Sequence, residues 1–411
     1  MSSKWSTVTV GDISQVKGGK RLPAGNFLQE KPTPFPYIRV SDMVNGGIRE
    51  SGIRYVPEAA AAAIRNYRIG KDDIFISVAG TLGLVGRIPR HLDGANLTEN
   101  ADRLTQITCD VDYLMYYLLS EPIQNEIDAI RTVGAQPKLA LGRIKSFALL
   151  LPPTAAEQRR IASALRDADS LIASLERLIA KKREIKQGLM QELLTGRTRL
   201  PGFKGDWVEL RVANASHLKA RIGWQGLKTG EYRNSGEYRL VGGTDFRAGR
   251  VNWESTPFVD KWRYDQDKNI QLQEGDVLIT KDGTIGKVAL VENLPGPATL
   301  NSGVFVLRPK HDAYDPHFIF VMLRSRFFEE FVAGLSAGST INHLYQKDLV
   351  TLILTVPSAV EEQKAIARVL LDADDEIAAL ARRLESARAI KQGMMQELLT
   401  GRTRLTEEVA A

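Results

Sequence analysis

The chain has 411 residues, enough for two or three domains, each with its own hydrophobic core. Its composition, 43% apolar and 25% charged, is that of a globular protein; no apolar run reaches the ~20 residues needed to cross a bilayer, and the N-terminus lacks the apolar stretch of a secretory signal. A single cysteine, Cys109, excludes an internal disulfide framework and a multi-thiolate metal site, and we expect a cytoplasmic protein. The formal charge of +6 is compatible with a polyanionic partner but does not require one.

The first predicted globular region, residues 1–151, combines short strands and turns with a late helix. We predict a strand at 73–78, a turn at 79–81 and a helix at about 113–131. Polar and basic residues in its loops are candidates for binding phosphates or base edges of DNA. These candidates are Lys17, Lys20, Arg21, Arg39, Ser41, Asp42 and Lys138.

A helical segment is predicted over residues 152–200. Thr154 stands three residues before Glu157, the spacing of a capping hydroxyl followed by a glutamate that reaches back. Apolar residues then step by four and three, which predicts a heptad seam on a helix of residues 155–194, about 60 Å long and ending before Gly196. The seam residues are Ile161, Leu165, Ala168, Ile172, Leu175 and Ile179.

Two lysines, Lys182 and Lys186, stand where apolar residues would continue this seam. The basic run at 181–183 is interpreted as a solvated helix face, with contact to a DNA backbone or a partner as the alternative.

The second predicted globular region, residues 201–356, has strands at 276–280, 287–291 and 302–307 and a helix at about 316–333. Arginine and lysine can bind guanine edges or phosphates, and asparagine and glutamine can pair with adenine. The DNA-binding candidates in this region are Lys219, Arg221, Trp224, Gln225, Thr244, Asp245, Lys281, Asn342 and His343.

A second helical segment, residues 357–405, precedes a tail at 406–411 and repeats the first. Glu362–Leu405 is identical to Glu157–Leu200 at 28 of 44 positions without a gap. Because one helix cannot cover its own apolar stripe in water, we predict that the two helices pack antiparallel as an intramolecular coiled coil. Two nearly identical surfaces also predict docking sites for two copies of one partner. The second seam is Ile366, Leu370, Ala373, Ile377, Leu380 and Leu384.

The two globular regions also share short similar runs, although their sequence similarity is weaker than that of the helices. The run at 80–83 matches 283–286, and the run at 40–42 matches 243–245, in the same order along the chain. The sequence therefore predicts an α+β fold with two globular domains that have curved β-sheets. Two long antiparallel helices separate these domains, and the whole has an internal pseudo-twofold.

Catalytic motifs are missing from the sequence. It has no G-x-x-x-x-G-K-[ST] loop and no H-E-x-x-H among its five histidines. Leu151–Thr154 lacks the polar first residue and the aromatic last residue of the motif with which amino-methyltransferases hold a flipped base. The sequence therefore predicts neither a catalytic site nor a metal site.

The doubled helices resemble those of Type I restriction–modification specificity subunits, which share the Glu-Gln-x-x-Ile-Ala-x-x-Leu start and the Gly-x-Met-Gln-Glu-Leu-Leu-Thr-Gly end. The second globular region also resembles one group of target recognition domains, through residues 223–227, 243–246, 281–287 and 341–345. The first region departs from that group at Ala79 and at 136–137, so we expect it to read a different sequence.

This resemblance implies a non-catalytic subunit in which each target recognition domain reads one half of a split DNA site, while the helices act as spacers. It implies two methylation subunits docked on the helices, together with restriction subunits. S-adenosylmethionine, ATP and Mg would belong to those partners, with no cofactor bound by this chain. Three alternatives stay open: a specificity factor of a phage-defence methylation system without cleavage, a coiled-coil scaffold with lectin-like or peptide-binding heads, and an enzyme with an unrecognised site.

Overall fold

The computed structural model describes residues 4–131, 137–222, 226–335 and 343–405. Contacts between residues divide the chain into two compact units. Unit 1 is Met1–Glu176 with Arg382–Ala411, and unit 2 is Arg177–Ala381. Each unit therefore combines one globular domain with the beginning of one long helix and the end of the other. No helix within the described ranges is both long and apolar enough to cross a membrane.

The globular part of unit 1 contains twelve short strands in its described residues. They are β1 Ser6–Thr9, β2 Gln15–Gly18, β3 Pro36–Ile38, β4 Met43–Val44, β5 Gly47–Ile48, β6 Arg54–Tyr55, β7 Arg68–Ile69, β8 Ile74–Ser77, β9 Val85–Gly86, β10 Ala95–Leu97, β11 Ala101–Thr105 and β12 Ala148–Leu151. Two four-stranded sheets, β6-β3-β10-β7 and β2-β11-β8-β9, form the body, and the pairs β1-β12 and β4-β5 accompany them.

Unit 2 repeats this plan. Its strands are β13 Trp207–Arg211, β14 Ser216–Ala220, β15 Tyr238–Val241, β16 Phe246–Arg247, β17 Arg250–Val251, β18 Phe258–Val259, β19 Val277–Thr280, β20 Val288–Leu290, β21 Ala298–Leu300, β22 Val304–Pro309 and β23 Ile353–Pro357. The order β14-β22-β19-β20 corresponds to β2-β11-β8-β9, and β18-β15-β21 corresponds to β6-β3-β10. One parallel pair recurs in each unit, β3 with β10 and β15 with β21.

The helices are α1 Val10–Ile13, α2 Glu58–Ala61, α3 Val111–Leu118, α4 Glu121–Arg131, α5 Leu141–Lys145, α6 Ala155–Leu193, α7 Val212–Ala215, α8 Lys261–Asp265, α9 Pro316–Leu323, α10 Arg326–Leu335, α11 Gln346–Leu349 and α12 Val360–Leu398. These helices and strands confirm the mixed α+β fold and the two long helices predicted from the repeat.

The central strands of both units lie where the apolar runs predict them. Every residue of β8 and β19 is buried. Both faces of these strands are covered, so they read as continuous apolar runs instead of alternating between polar and apolar residues. Turn glycines end them: Gly80 and Gly283 have positive φ angles of 75° and 69°, a conformation that costs little only for glycine.

The late helix of each globular domain is two helices, not the single one predicted at 113–131 and 316–333. In unit 1 the hydroxyl of Ser120 donates to the carbonyl of Tyr117, between α3 and α4. Ser325 donates to the carbonyl of Met322 in the same way, between α9 and α10. A serine that bonds to the preceding turn offers the backbone an alternative to continued helix.

The start of α6 shows which part of the predicted cap forms. Thr154 Oγ1 accepts the backbone N–H of Glu157 at 3.2 Å, as predicted. The Glu157 carboxylate does not reach back, because it is buried and binds the fork of Arg404 through two hydrogen bonds of 2.8 and 2.9 Å. The indole of Trp5 donates to the same carboxylate at 3.3 Å.

Unit 2 has an equivalent carboxylate–guanidinium contact, formed by the start of α12 and the end of α6. Glu362, near the start of α12, binds the fork of Arg199, just past the end of α6, at 2.5 and 2.6 Å. These hydrogen bonds raise the pKa of Arg199. Trp207 covers Gly196 as Trp5 covers Gly401, and both glycines have positive φ angles, which is the C′ conformation predicted for these residues.

The first turns of each seam are predicted to contact the other long helix, but they pack mainly in the core of a globular domain. Ile161 and Leu165 pack in the core of the unit 1 globular domain together with Leu398 and Leu399 from the end of α12. In unit 2, Ile366 and Leu370 likewise join the domain core with Leu193 and Leu194. Each helix start therefore contacts a β-domain as well as the other helix, because the globular domain has an apolar surface of its own to cover.

The middle of each seam follows the coiled-coil prediction more closely. Leu175, Ile179, Leu380 and Leu384 are buried, and Ile172 and Ile377 are half-buried. Ion pairs within each unit show that the helices run antiparallel. In unit 2, Lys182 pairs with Glu376 and Lys186 pairs with Asp374. Residue numbers therefore rise along α6 while those of their partners fall along α12.

We expect Leu165→Ala to lower the free energy of unfolding by about 2–5 kcal/mol, because it opens a cavity at a fully buried core position. Leu171→Ala on the same helix is the matched control. Leu171 is 49% exposed, so its change should stay within about 0.5 kcal/mol. Urea unfolding of both variants measures the difference, and equal midpoints would contradict the packing of α6 on the domain core.

Candidate nucleic-acid interface

Two exposed lysines occupy equivalent positions in the two units. Lys17 on β2 pairs with Arg103 of β11, and Lys219 on β14 pairs with Val306 of β22. Their strand neighbours Val16 and Leu218 are buried beneath them. Both lysines are exposed on strands at the edge of their sheets, where a phosphate can reach them.

A turn built around two glycines is the common frame of both candidate sites. We call residues 78–83 and 281–286 the glycine turns of units 1 and 2. In unit 1, Ser77 Oγ donates to the carbonyl of Thr81 at 2.6 Å and accepts the N–H of Leu84 at 2.8 Å. In unit 2, Thr280 Oγ1 makes the same bonds to Thr284 and Lys287, at 2.5 and 2.9 Å.

A second segment docks on each glycine turn through one backbone hydrogen bond. The N–H of Leu139 donates to the carbonyl of Val78 at 2.9 Å, and that of Leu344 to the carbonyl of Lys281 at 2.8 Å. The repeated sequence at 80–83 and 283–286 thus encodes a shared backbone, while the residues displayed on it differ between units.

In unit 1 three predicted residues from two segments line one cleft of about 680 Å³: Lys20, Arg21 and Lys138. Arg21 forms an ion pair with Glu99 at 3.3 Å. Burial raises the pKa of Asp102 in the cleft wall, and the positive charge of Lys138 partly offsets this rise. The structure therefore brings together cations that the sequence placed more than a hundred residues apart.

In unit 2 the predicted residues Thr244, Lys281 and His343 meet around the glycine turn. A Cβ on Gly243 would lie 2.5 Å from Thr280 Cγ2, so the turn carrying the exposed Thr244 lies directly against the end of β19. His343 Nδ1 pairs with Asp282, and the ammonium of Lys281 lies 5.4 Å from the centroid of the Phe305 ring. The candidates Trp224, Gln225 and Asn342 lie outside the described residues.

Asp42 and Asp245 are buried, not displayed as sequence reasoning expected. Asp42 accepts the backbone N–H of Arg39 at 2.9 Å and both arms of its guanidinium at 2.9 and 2.7 Å. Asp245 accepts the N–H of Gly242 at 2.8 Å, and burial raises its pKa. These carboxylates stabilise the turns that display Ser41 and Thr244, and with Arg39 they serve the turn backbone instead of facing a ligand.

Arg221 also lies inside the protein, with only 1% of its surface exposed. Its guanidinium donates to the carbonyl of Leu300 at 2.8 Å, and to Thr299 Oγ1 and Gln266 Oε1 at 3.2 Å each. Burial lowers its pKa. In this fold Arg221 joins the end of β14 to β21, and the geometry argues against the direct DNA contact expected from its position in a basic loop.

Sequence reasoning missed one exposed aromatic residue. Phe27 is the most exposed large apolar side chain among the described residues, and it follows Lys20 and Arg21 in the same loop. An aromatic among cations is the signal that selected Trp224, so the same criterion could have found Phe27. The described residues contain no group of three potential metal ligands.

Comparison with known proteins identifies the family. A model of the family described as Type I restriction modification DNA specificity domain matches this chain twice, over residues 2–187 and 224–387. The two matches cover most of the chain, one on each repeat, and the chain belongs to this family. The resemblance inferred from the doubled helices is thereby confirmed.

Individual relatives extend over nearly the whole chain. It is 23% identical over 417 aligned positions to the Type I restriction enzyme MjaVIII specificity subunit of Methanocaldococcus jannaschii, covering 98% of this chain and 93% of that protein. It is 20% identical over 385 positions to the Type I restriction enzyme EcoBI specificity subunit of Escherichia coli, covering 89% and 78%. The crystal structure of the Type I restriction-modification S subunit from M. genitalium has a TM-score of 0.64 at 17% identity, covering 98% and 97%, and shows a shared fold.

Arg221→Met and Lys219→Met separate a structural cation from a displayed one two residues away. We expect Arg221→Met to lower the free energy of unfolding by about 2–3 kcal/mol, since it leaves buried acceptors unpaired. Lys219→Met, at an exposed position, should change it by less than about 0.5 kcal/mol. Chemical denaturation measures both, and a neutral Arg221→Met would contradict the structural role.

Proposed function

We propose that this chain is the DNA-specificity subunit of a Type I restriction–modification complex, in which each globular domain reads one half of a bipartite DNA site. One observation carries the proposal. The two units share a backbone frame and differ in what it exposes: the glycine turn of unit 2 carries half-buried Lys281 and exposed Asp282, where that of unit 1 has buried Val78 and half-buried Ala79. Two readers with one scaffold and unlike side chains fit an asymmetric, split target.

The displayed residues divide by the kind of contact they can make. Lys17 and Lys219, at matching positions on edge strands, are suited to phosphates, which fix position on the duplex without reading sequence. Thr244, Lys281 and His343 offer hydrogen-bond donors and acceptors around the glycine turn of unit 2, as base edges in a groove require. Unit 1 presents Lys20, Arg21 and Lys138 in its cleft, so the two half-sites differ.

The repeated helices would supply the spacing between half-sites and two docking surfaces for methylation subunits. Ile185 and Ile390 are identical residues of the repeat, and they are 47% and 62% exposed. Apolar side chains exposed at equivalent places on both helices favour an interface used twice. In this proposal the methylation and restriction subunits bring S-adenosylmethionine, ATP and Mg, and this chain contributes binding without catalysis.

Replacing residues 207–356 with the corresponding domain of another specificity subunit should change one half-site and leave the other half-site and the spacer intact. Methylome sequencing of cells that express the whole complex reads both halves and the gap at once. The unmodified chain, expressed with the same partners, is the control. A change in both half-sites, or no sequence-specific methylation by the unmodified complex, would overturn the proposal.

Lys17→Ala and Lys219→Ala should each weaken DNA binding to all sequences and lower the slope of log association constant against log salt by about 0.9, the value for one lost phosphate contact. Fluorescence anisotropy of the methylation complex at several salt concentrations measures this slope. Lys364→Ala is the control, because Lys364 is exposed on α12 and pairs with Glu361. A slope unchanged in both test variants would remove these lysines from the interface.

A further inference from the structure

Two ion pairs between the long helices are equivalent under the sequence repeat. In unit 2, Lys186 of α6 binds Asp374 of α12 at 2.6 Å, and in unit 1, Lys391 of α12 binds Asp169 of α6 at 2.5 Å. Lys186 corresponds to Lys391, and Asp169 to Asp374, each 205 positions apart in the alignment of the two helices. The same ion pair therefore occurs twice, once with the lysine on α6 and once with the lysine on α12.

Each aspartate also contacts the globular domain of its own unit. Asp374 accepts a hydrogen bond from Arg324, at the end of α9, at 3.2 Å. Asp169 accepts one from the hydroxyl of Tyr116, on α3, at 2.9 Å. Each carboxylate is thus a junction of three elements: its own helix, the other long helix and the domain.

These pairs are more enclosed than the pair of Lys182 and Glu376, whose side chains are 34% and 49% exposed. The side chains of Lys186 and Asp374 are 17% and 29% exposed, and those of Lys391 and Asp169 are 22% and 42% exposed. Lys182 has no repeat equivalent, since Ala387 takes its place in the second helix. The repeat thus retains the enclosed pair in both units but not the open one.

A charged group inside an apolar helix seam specifies alignment more than stability. If the helices slipped by four residues, Lys186 would stand opposite Leu370 or Ala378 instead of Asp374. A partly enclosed ammonium would then lose its partner, which is costly, whereas an all-apolar seam tolerates a slip. A lysine that interrupts the predicted heptads, such as Lys186, therefore favours one alignment of the two helices over shifted ones.

We propose that Lys186–Asp374 and Asp169–Lys391 are register locks, positioning residues that set the alignment of the two helices and so the number of base pairs between the half-sites. The proposal rests on the bipartite reading described above and names the residues that determine its spacing. It assigns these residues to spacer selectivity, and it leaves the choice of bases to the globular domains.

The test uses the complex with its methylation subunits and DNA duplexes that carry the cognate half-sites with the native spacer or with one base pair added or removed. The variant replaces both locks with apolar residues: Lys186→Met and Asp374→Leu, with Lys391→Met and Asp169→Leu. We expect it to fold and bind, with its preference for the native spacer reduced about tenfold, within the coupling range of contacting charged residues. Its base preference in each half-site should stay unchanged.

A control variant, Lys182→Met with Glu376→Leu, removes the open pair and should keep the native spacer preference. Charge exchange in unit 1 gives a second measurement. Lys391→Asp alone places two carboxylates opposite each other and should reduce the preference. Lys391→Asp with Asp169→Lys should restore it, because the attraction is rebuilt with its ends reversed.

An unchanged spacer preference in the apolar variant, or no restoration by the exchanged pair, would overturn the locks. Failure of the apolar variant to fold would overturn them too, since it would assign the pairs to stability. Absence of any spacer preference in the unmodified complex would instead overturn the bipartite function itself, so the two failures are distinguishable.

Discussion

A buried ion pair between a glutamate and an arginine in each unit is the constraint on which the rest of the structure depends. Glu157 and Glu362 are buried near the starts of the long helices, and each receives a two-pronged guanidinium from just past the end of the other helix, Arg404 or Arg199. A buried carboxylate without its partner is strongly unfavourable. In each unit the contact joins the start of one long helix to the segment past the end of the other, beside the tryptophan that covers the end glycine.

Much of the fold could be predicted from the sequence because the sequence contains an internal repeat. The first helix, predicted at 155–194, is observed at Ala155–Leu193, and the repeat indicated the second, observed at Val360–Leu398 within the predicted segment 357–405. Uninterrupted apolar runs located strands β8 and β19. The partner of Glu157 could not be predicted, since Arg404 stands 247 residues away and local spacing suggested a cap instead. Long-range pairing of charges leaves no periodic trace in a single sequence.

The candidate site was predictable by segment but not by residue. Loops that contain Lys20, Lys138, Lys281 and His343 do come together in their own units. Arg221 has the same chemistry as those residues and the same kind of neighbours in the sequence, yet it is enclosed. Only the three-dimensional fold distinguishes a cation that faces solvent from one that serves buried carbonyls, because both occur in basic, glycine-containing loops.

The composition of unit 1 from two distant stretches of chain has a consequence for biosynthesis. Unit 2 consists of one continuous stretch, Arg177–Ala381, and all of its contacts are available once that stretch has left the ribosome. Unit 1 must wait for Arg382 onward, and Glu157 meets Arg404 only after residue 404 has been translated. The first globular domain to be translated is therefore completed last, and its unfinished core exposes apolar surface for longest during synthesis.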